Sequence, residues 1–154
     1  MKALVVYDSQ YGNTEQIARA IARGIGGEKE VRVVKAAAAV AADAGPGIDL
    51  LVVGSPTQGG RPTVPTMQFL DGIPAGGLKN VRVAAFDTRA TSWITKLFGY
   101  AAAKIARNLE DRGGTQAAPP EAYFVKGTKG PLADGELDRA TAWGKKLASA
   151  AVAK

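Results

Sequence analysis

Three short segments carry the residues best suited to chemistry, and all three are rich in hydroxyl, amide and glycine groups. The first is Asp8-Ser9-Gln10-Tyr11-Gly12-Asn13-Thr14-Glu15. Where such a stretch leads from a strand into a helix, its backbone N–H groups and the helix dipole favour an anion of about −2 charge. Ser9 and Thr14 add hydroxyl donors, and Gly12 lets the backbone come close. The segment contains no Lys or Arg, so it suits a phosphate monoester gripped by neutral donors better than a nucleoside triphosphate. It is neither G-x-x-x-x-G-K-[ST] nor G-x-G-x-x-G, and the second strand ends on Lys35 where a dinucleotide ribose would want an acid, which argues against ATP and NAD. A plain helix cap by Asn13 or Thr14 is the competing reading.

The second segment is Gly54-Ser55-Pro56-Thr57-Gln58-Gly59-Gly60-Arg61-Pro62-Thr63. Paired glycines between prolines give a chain stiff at its ends and free in the centre, able to offer N–H and C=O groups to a planar ligand. A turn before a helix capped by Thr63 is the alternative. The third segment, Asp87-Thr88-Arg89, follows a buried strand and could equally be a cap or a surface turn.

Whole classes of chemistry are excluded. The 154 residues include no cysteine and no histidine, which removes thiol nucleophiles, thiolate metal sites, the Ser-His-Asp triad and the H-E-x-x-H zinc site. With 46% hydrophobic and 22% charged residues, the composition is that of a globular protein, and the length suits one domain spanning residues 1–154. The apolar run Ala3 to Tyr7 is too short for a signal peptide, and no uncharged stretch could span a bilayer; a cytoplasmic location is expected. The net charge is +6. Between Gly72 and Leu109 the bases Lys79, Arg82, Arg89, Lys96, Lys104 and Arg107 face only Asp87. Such an excess suits an acidic partner, a nucleic acid or an anionic membrane surface, and composition alone does not choose among them. The bases are spread out with few aromatics among them, so solvation of helix faces is favoured and nucleic acid is not.

The elements that must position these segments alternate between strand and helix. Ala3 to Tyr7 is an unbroken apolar strand of the kind buried on both faces. From Thr14 the apolar positions Ile17, Ala18, Ile21, Ala22 and Ile25 are spaced by three and four, with Gly26-Gly27 as the stop, which predicts an amphipathic helix. Glu30 to Lys35 is the second strand, and Ala36 to Pro46 reads as a short helix or a loop. Leu50 to Val53 is the third strand, followed by a helix carrying Val64, Met67, Phe69 and Leu70. Val81 to Phe86 is the fourth. Ile94, Leu97, Phe98, Ala102, Ile105 and Leu109 have helical spacing, interrupted by Gly99 and ended by Gly113-Gly114. Ala122 to Val125 is a fifth strand, and Asp134 a cap for a last helix with Leu137, Ala140, Leu147 and Ala151. Connections too long for hairpins imply crossovers and hence a parallel sheet. The expected fold is doubly wound α/β, with five parallel strands and helices on both faces. In such sheets ligands sit beyond the carboxyl ends of the strands where strand order reverses, and all three segments fall there.

Taken together, the segments resemble those of the flavodoxin-like family of short-chain FMN-binding proteins, and the resemblance covers essentially the whole chain. Tyr7 through Glu15 is similar to the family's hydroxyl-rich phosphate loop, with Ser9, Gly12, Asn13 and Thr14 at matching positions. Gly54-Ser55-Pro56-Thr57-x-Gly59-Gly60 resembles the loop lining one side of the isoalloxazine ring, and Asp87-Thr88-Arg89 falls at the other ring loop. Gly130-Pro131-Leu132 through Asp134-Gly135-Glu136-Leu137 to Trp143 resembles the carboxyl end of single-domain members. The family's carriers are usually acidic and stack an aromatic on the ring, whereas this chain is +6 and has no aromatic in its second segment. Trp93 and Tyr100 are the alternatives for that stack, or else members of the core. Tyr11 stands where the family commonly has a hydroxyl residue.

What the resemblance implies is an FMN-bound electron carrier working between redox partners. Ser9, Gln10, Tyr11, Gly12, Asn13 and Thr14 would hold the phosphate. Pro56, Thr57, Gln58, Gly59 and Gly60 with Asp87, Thr88 and Arg89 would hold the ring. Two alternatives stand beside it: an FMN-dependent oxidoreductase reducing a quinone or other small acceptor, and a cofactor-free basic binding module. Charge near the ring sets its potential, because the fully reduced ring is anionic and a unit charge at 4 Å is worth about 4 kcal/mol at an effective dielectric of 20. With Arg61 and Arg89 close by, a potential above that of acidic relatives is expected.

Overall fold

The computed structural model describes residues 1–27, 30–90 and 100–152. Strand β1 (Ala3–Tyr7) leads into helix α1 (Asn13–Ile25), then β2 (Val31–Lys35), β3 (Leu50–Pro56), α2 (Val64–Asp71) and β4 (Arg82–Ala90). Helix α3 (Ala101–Asp111), two short strands β5 (Thr115–Gln116) and β6 (Glu121–Val125), and helix α4 (Glu136–Val152) complete it. The strands are parallel in the order β2-β1-β3-β4-β5, with β6 also on β4. Order reverses between β1 and β3, so a crevice opens at the carboxyl ends of these two strands. This is the doubly wound α/β fold that the alternation of apolar runs predicts.

Alternation along each strand sends its residues to two cores. Val5, Val52, Ala84 and Phe86 face α1 and α4, while Leu4, Val6, Val53, Val83 and Ala85 face α2 and α3. On the first side Phe86, Tyr123 and Trp143 meet edge to face with centroids 6.1 to 6.4 Å apart, a preferred aromatic geometry. Two glycines let α1 and α4 touch: a Cβ on Gly24 would lie 2.0 Å from Thr141 O, and one on Gly144 2.2 Å from Ile21 O. The long helices thereby form a rigid back to the sheet.

Several boundaries differ from the sequence reading. Strand β3 runs on through Gly54, Ser55 and Pro56, and β4 through Asp87, Thr88 and Arg89, in register with Ser55↔Asp87 and Pro56↔Thr88. The third segment is therefore the end of a strand and not a loop. The apolar run records burial among hydrocarbon, and the ladder continues past it to the sheet's polar edge. The fifth strand is in two pieces, β5 and β6, both paired with β4. Pro119 and Pro120 fall in the gap and have no N–H to donate to a ladder. Residues 36–46 contain two short 3-10 turns, Ala36–Ala38 and Ala41–Ala44. Asp134 does not cap the last helix, which starts at Glu136; its carboxylate instead faces Lys126 Nζ at 3.3 Å. Ile94, Leu97, Phe98 and Gly99, from the expected helical pattern that runs on to Leu109, lie outside the described residues, as do Trp93 and Lys96.

Candidate functional site

Hydrogen bonding at the first crossover leaves donors in surplus. Gly12 occupies the N-cap of α1 at φ 88° and no side chain caps this helix, so neither Asn13 nor Thr14 is the simple cap that their types allow. Instead Gly12 N–H donates to Ser9 Oγ (3.0 Å), Thr14 and Thr88 share a hydroxyl–hydroxyl bond (2.7 Å), and Asn13 Nδ2 donates to Lys129 O (3.1 Å). Ser9 Oγ accepts in its bond and keeps its own hydrogen, as does one member of the threonine pair. Among the described residues the backbone N–H groups of Gln10, Tyr11, Asn13 and Thr14 find no acceptor. Asn13 and Thr14 are nonetheless buried, Thr14 at 2% exposure. These N–H groups belong to the first turn of α1, where no intrahelical acceptor exists, so the cluster has donors to offer an acceptor from outside the chain. Among the described residues no Lys or Arg side chain bonds to it; Lys129 Nζ lies 5.9 Å from the Tyr11 ring centroid.

The second and third segments are held differently. Gln58 and Arg61 exchange both backbone hydrogen bonds at 2.9 Å around Gly59 (φ 55°) and Gly60 (φ 78°). Positive φ at both central residues is what a tight two-residue turn of type I′ demands, and glycine supplies it. The base of this turn is tied to β4 by Thr57 N–H donating to Thr88 O (3.0 Å). Thr63 does sit at the N-cap of α2, but its hydroxyl bonds the Thr66 hydroxyl and its N–H donates to Ser55 Oγ (3.0 Å). Asp87 is fully buried and accepts from Arg89 Nε and Nη2, both at 2.8 Å, and from Ala102 N–H at 2.9 Å. The Arg89 guanidinium also lies over the Tyr100 ring, 3.3 Å from its centroid.

A cleft of about 230 Å³ opens where the segments meet. Ser9, Gln10, Tyr11, Asn13, Thr14, Pro56, Thr57, Gln58, Thr88 and Arg89 line it. Gly12, Gly59, Gly60 and Asp87 do not: they shape the backbone or hold Arg89 from behind. Arg61 is turned to a separate groove with Pro62, Val64 and Met67. Arg89 is at the cleft, but the buried carboxylate at 2.8 Å answers its charge. Of the two arginines expected beside a bound ring, Arg89 has its charge answered by Asp87, and Arg61 is not among the lining residues. Tyr100 is engaged by Arg89 and is not in the cleft lining; Trp93 lies outside the described residues. Ala90, Val125 and Thr128 complete the lining. Val125 and Thr128 lie more than a hundred residues from the first segment, and no local pattern around them signals a site.

Comparison with known proteins gives a consistent result. A family model described as Flavodoxin matches residues 5–143. The chain is similar to the structure of a flavodoxin from the domain Archaea, with 26% identity, TM-score 0.73, and 98% of this chain and 99% of that one covered. Oxidised Flavodoxin 2 from Bacillus cereus shares the fold at 22% identity and TM-score 0.82, over 97% of this chain and 99% of that one. The Flv1 flavodiiron core from Synechocystis, at 24% identity and TM-score 0.74, matches 98% of this chain with 36% of its own length.

Proposed function

The chain belongs to the flavodoxin family, whose cofactor is FMN, and from that premise we propose that it binds FMN in this cleft and carries electrons between redox partners. The observation that carries the assignment is the surplus of unpaired N–H groups at the buried residues Asn13 and Thr14, next to hydroxyls with hydrogens to spare and, among the described residues, with no Lys or Arg side chain bonded to them. That donor set matches a phosphate monoester. The phosphate would lie against Ser9, Gln10, Tyr11, Asn13 and Thr14, with Gly12 allowing the backbone to curl around it.

The ring would lie between the turn Pro56-Thr57-Gln58-Gly59-Gly60 and the end of β4. Thr88 joins the two halves, because its hydroxyl bonds Thr14 while its carbonyl receives Thr57 N–H. FMN, once bound, supplies the redox chemistry by taking up and releasing one or two electrons. The protein's part is to orient it and to exclude water from one side. Asp87 holds the Arg89 guanidinium rigid at the wall of the cleft, where Arg89 acts as a neutralised packing surface more than as a charge. With a net charge of +6, an acidic protein is the redox partner that long-range attraction would favour.

The test is a reduction assay on the FMN-loaded protein. A carrier stays oxidised when NADPH is added alone and is reduced on addition of a separate flavin reductase. Sustained turnover of NADPH with a quinone and no other protein would replace this reading with that of an oxidoreductase.

A further inference from the structure

The first turn of α3 is bonded to both ring-side segments at once. Ala101 N–H donates to Thr57 Oγ1 (3.1 Å), Ala102 N–H to Asp87 Oδ2 (2.9 Å), and Lys104 Nζ to Gly60 O (2.7 Å). The last contact is the one that matters for the turn. The Gln58–Arg61 pair is internal to the turn and gives it a shape, and Thr57 N–H locates its base. Neither fixes its tip, where two glycines leave the backbone freer than any other residues would. Lys104 reaches the tip from a helix 44 residues later with a short, charge-assisted bond to a carbonyl. The ammonium thus sits among the bases that composition assigns to solvated helix faces, yet it is committed to the site's backbone.

We propose that Lys104 is a positioning residue of the cofactor site, pinning the Gly59–Gly60 turn to α3 so that the ring side of the cleft is formed before FMN arrives. This rests on the reading of the cleft as an FMN site. Lys104 touches the turn and not the cofactor, and its effect falls on the ring end, which FMN and riboflavin share.

The variants are Lys104→Met, which keeps the length of the stem, and Lys104→Arg, which keeps a cationic donor. Three readouts are taken: affinity for FMN, affinity for riboflavin, and hydrogen exchange of the Arg61 amide in the cofactor-free protein. In Lys104→Met both affinities are expected to fall by the same factor, about fivefold, as suits one partly exposed hydrogen bond. Arg61 exchange should quicken by a similar factor, the visible circular dichroism of bound flavin should change, and Lys104→Arg should restore most of each. Unchanged exchange and affinity in the Met variant would overturn the proposal. So would a loss confined to FMN, which would make Lys104 a counter-charge for phosphate, or failure of Arg to restore. A wild-type protein that takes up no FMN would end the reading of the cleft, and this role with it; a wild type that binds while Lys104→Met binds equally well ends only the role.

Discussion

The two ends of the cleft are assembled from opposite materials. At the first crossover the side chains that bond across the segment are uncharged: Ser9, Asn13, Thr14 and Thr88 bond to backbone or to one another, and N–H groups are left over. On the side of the second and third segments the ties use charged groups: Asp87 pairs with Arg89 and accepts from Ala102 N–H of α3, and Lys104 of α3 donates to Gly60 O. The difference teaches where each kind of group is useful. A dianion can be met by neutral donors that need no counter-charge and cost no desolvated cation. A flat, uncharged ring needs walls that stay put, and buried ion pairs with full hydrogen bonding give rigidity when no residual charge is wanted.

The strongest way to break this contrast is Asp87→Asn. It leaves the Arg89 guanidinium, 12% exposed, without its counter-charge and is expected to cost about 3 kcal/mol in a urea melt of the cofactor-free protein. A loss under about 1 kcal/mol would mean that the ring side is not locked by charge, since that is the range of exposed pairs.

A charged cluster whose own residues do not line the cleft sharpens the comparison. Glu136 accepts from Phe124 N–H (2.7 Å) and pairs with Arg139 Nη2 (2.6 Å), and Arg139 also donates to Ala122 O. Burial by itself would raise the Glu136 carboxyl, but the Arg139 hydrogen bonds, the Phe124 N–H and the Arg139 charge carry it below its ordinary value of 4.5. Its contribution is therefore complete above the ordinary carboxylate range and is lost as pH falls through the lowered folded-state value. Glu136→Gln should remove about 2 kcal/mol of stability at pH 7 and flatten that acid-side decline, with FMN affinity unchanged. A matching loss of FMN affinity would show that ionic ties anywhere in the molecule reach the cleft. The smallest effect is expected for Lys129→Gln: the ammonium is exposed and screened, so FMN affinity should change by less than about twofold at 0.15 M salt. A tenfold loss would place a cation in the phosphate's grip.

Much of this architecture could be read from the chain. The apolar runs at Ala3–Tyr7 and Leu50–Val53 and the three-four spacing from Ile17 to Ile25 are strong because burial on both strand faces, or on one helix face, leaves a period in the residues. The segments of the cleft were visible through their hydroxyls and glycines for the same reason: local backbone demands write local composition. What the chain did not reveal depends on distance. Nothing near Asp87 says that it runs on as strand and anchors α3, because that follows from the register with Ser55 and from Ala102, fifteen residues on. Nothing near Lys104 says that its ammonium reaches Gly60, and Val125 and Thr128 enter the cleft only because β6 pairs with β4. The charge of Arg89 was legible, its neutralisation was not.

The central claim is that uncharged donors at the first crossover hold the phosphate, and the most direct measurement is a fluorescence titration with FMN and riboflavin side by side, repeated with Thr14→Val and across about 0.05 to 0.5 M salt. The expected result is FMN binding about a hundredfold tighter than riboflavin, a preference that changes little with salt and shrinks about tenfold in Thr14→Val. Equal affinity for the two flavins, or a preference that vanishes as salt rises, would contradict it.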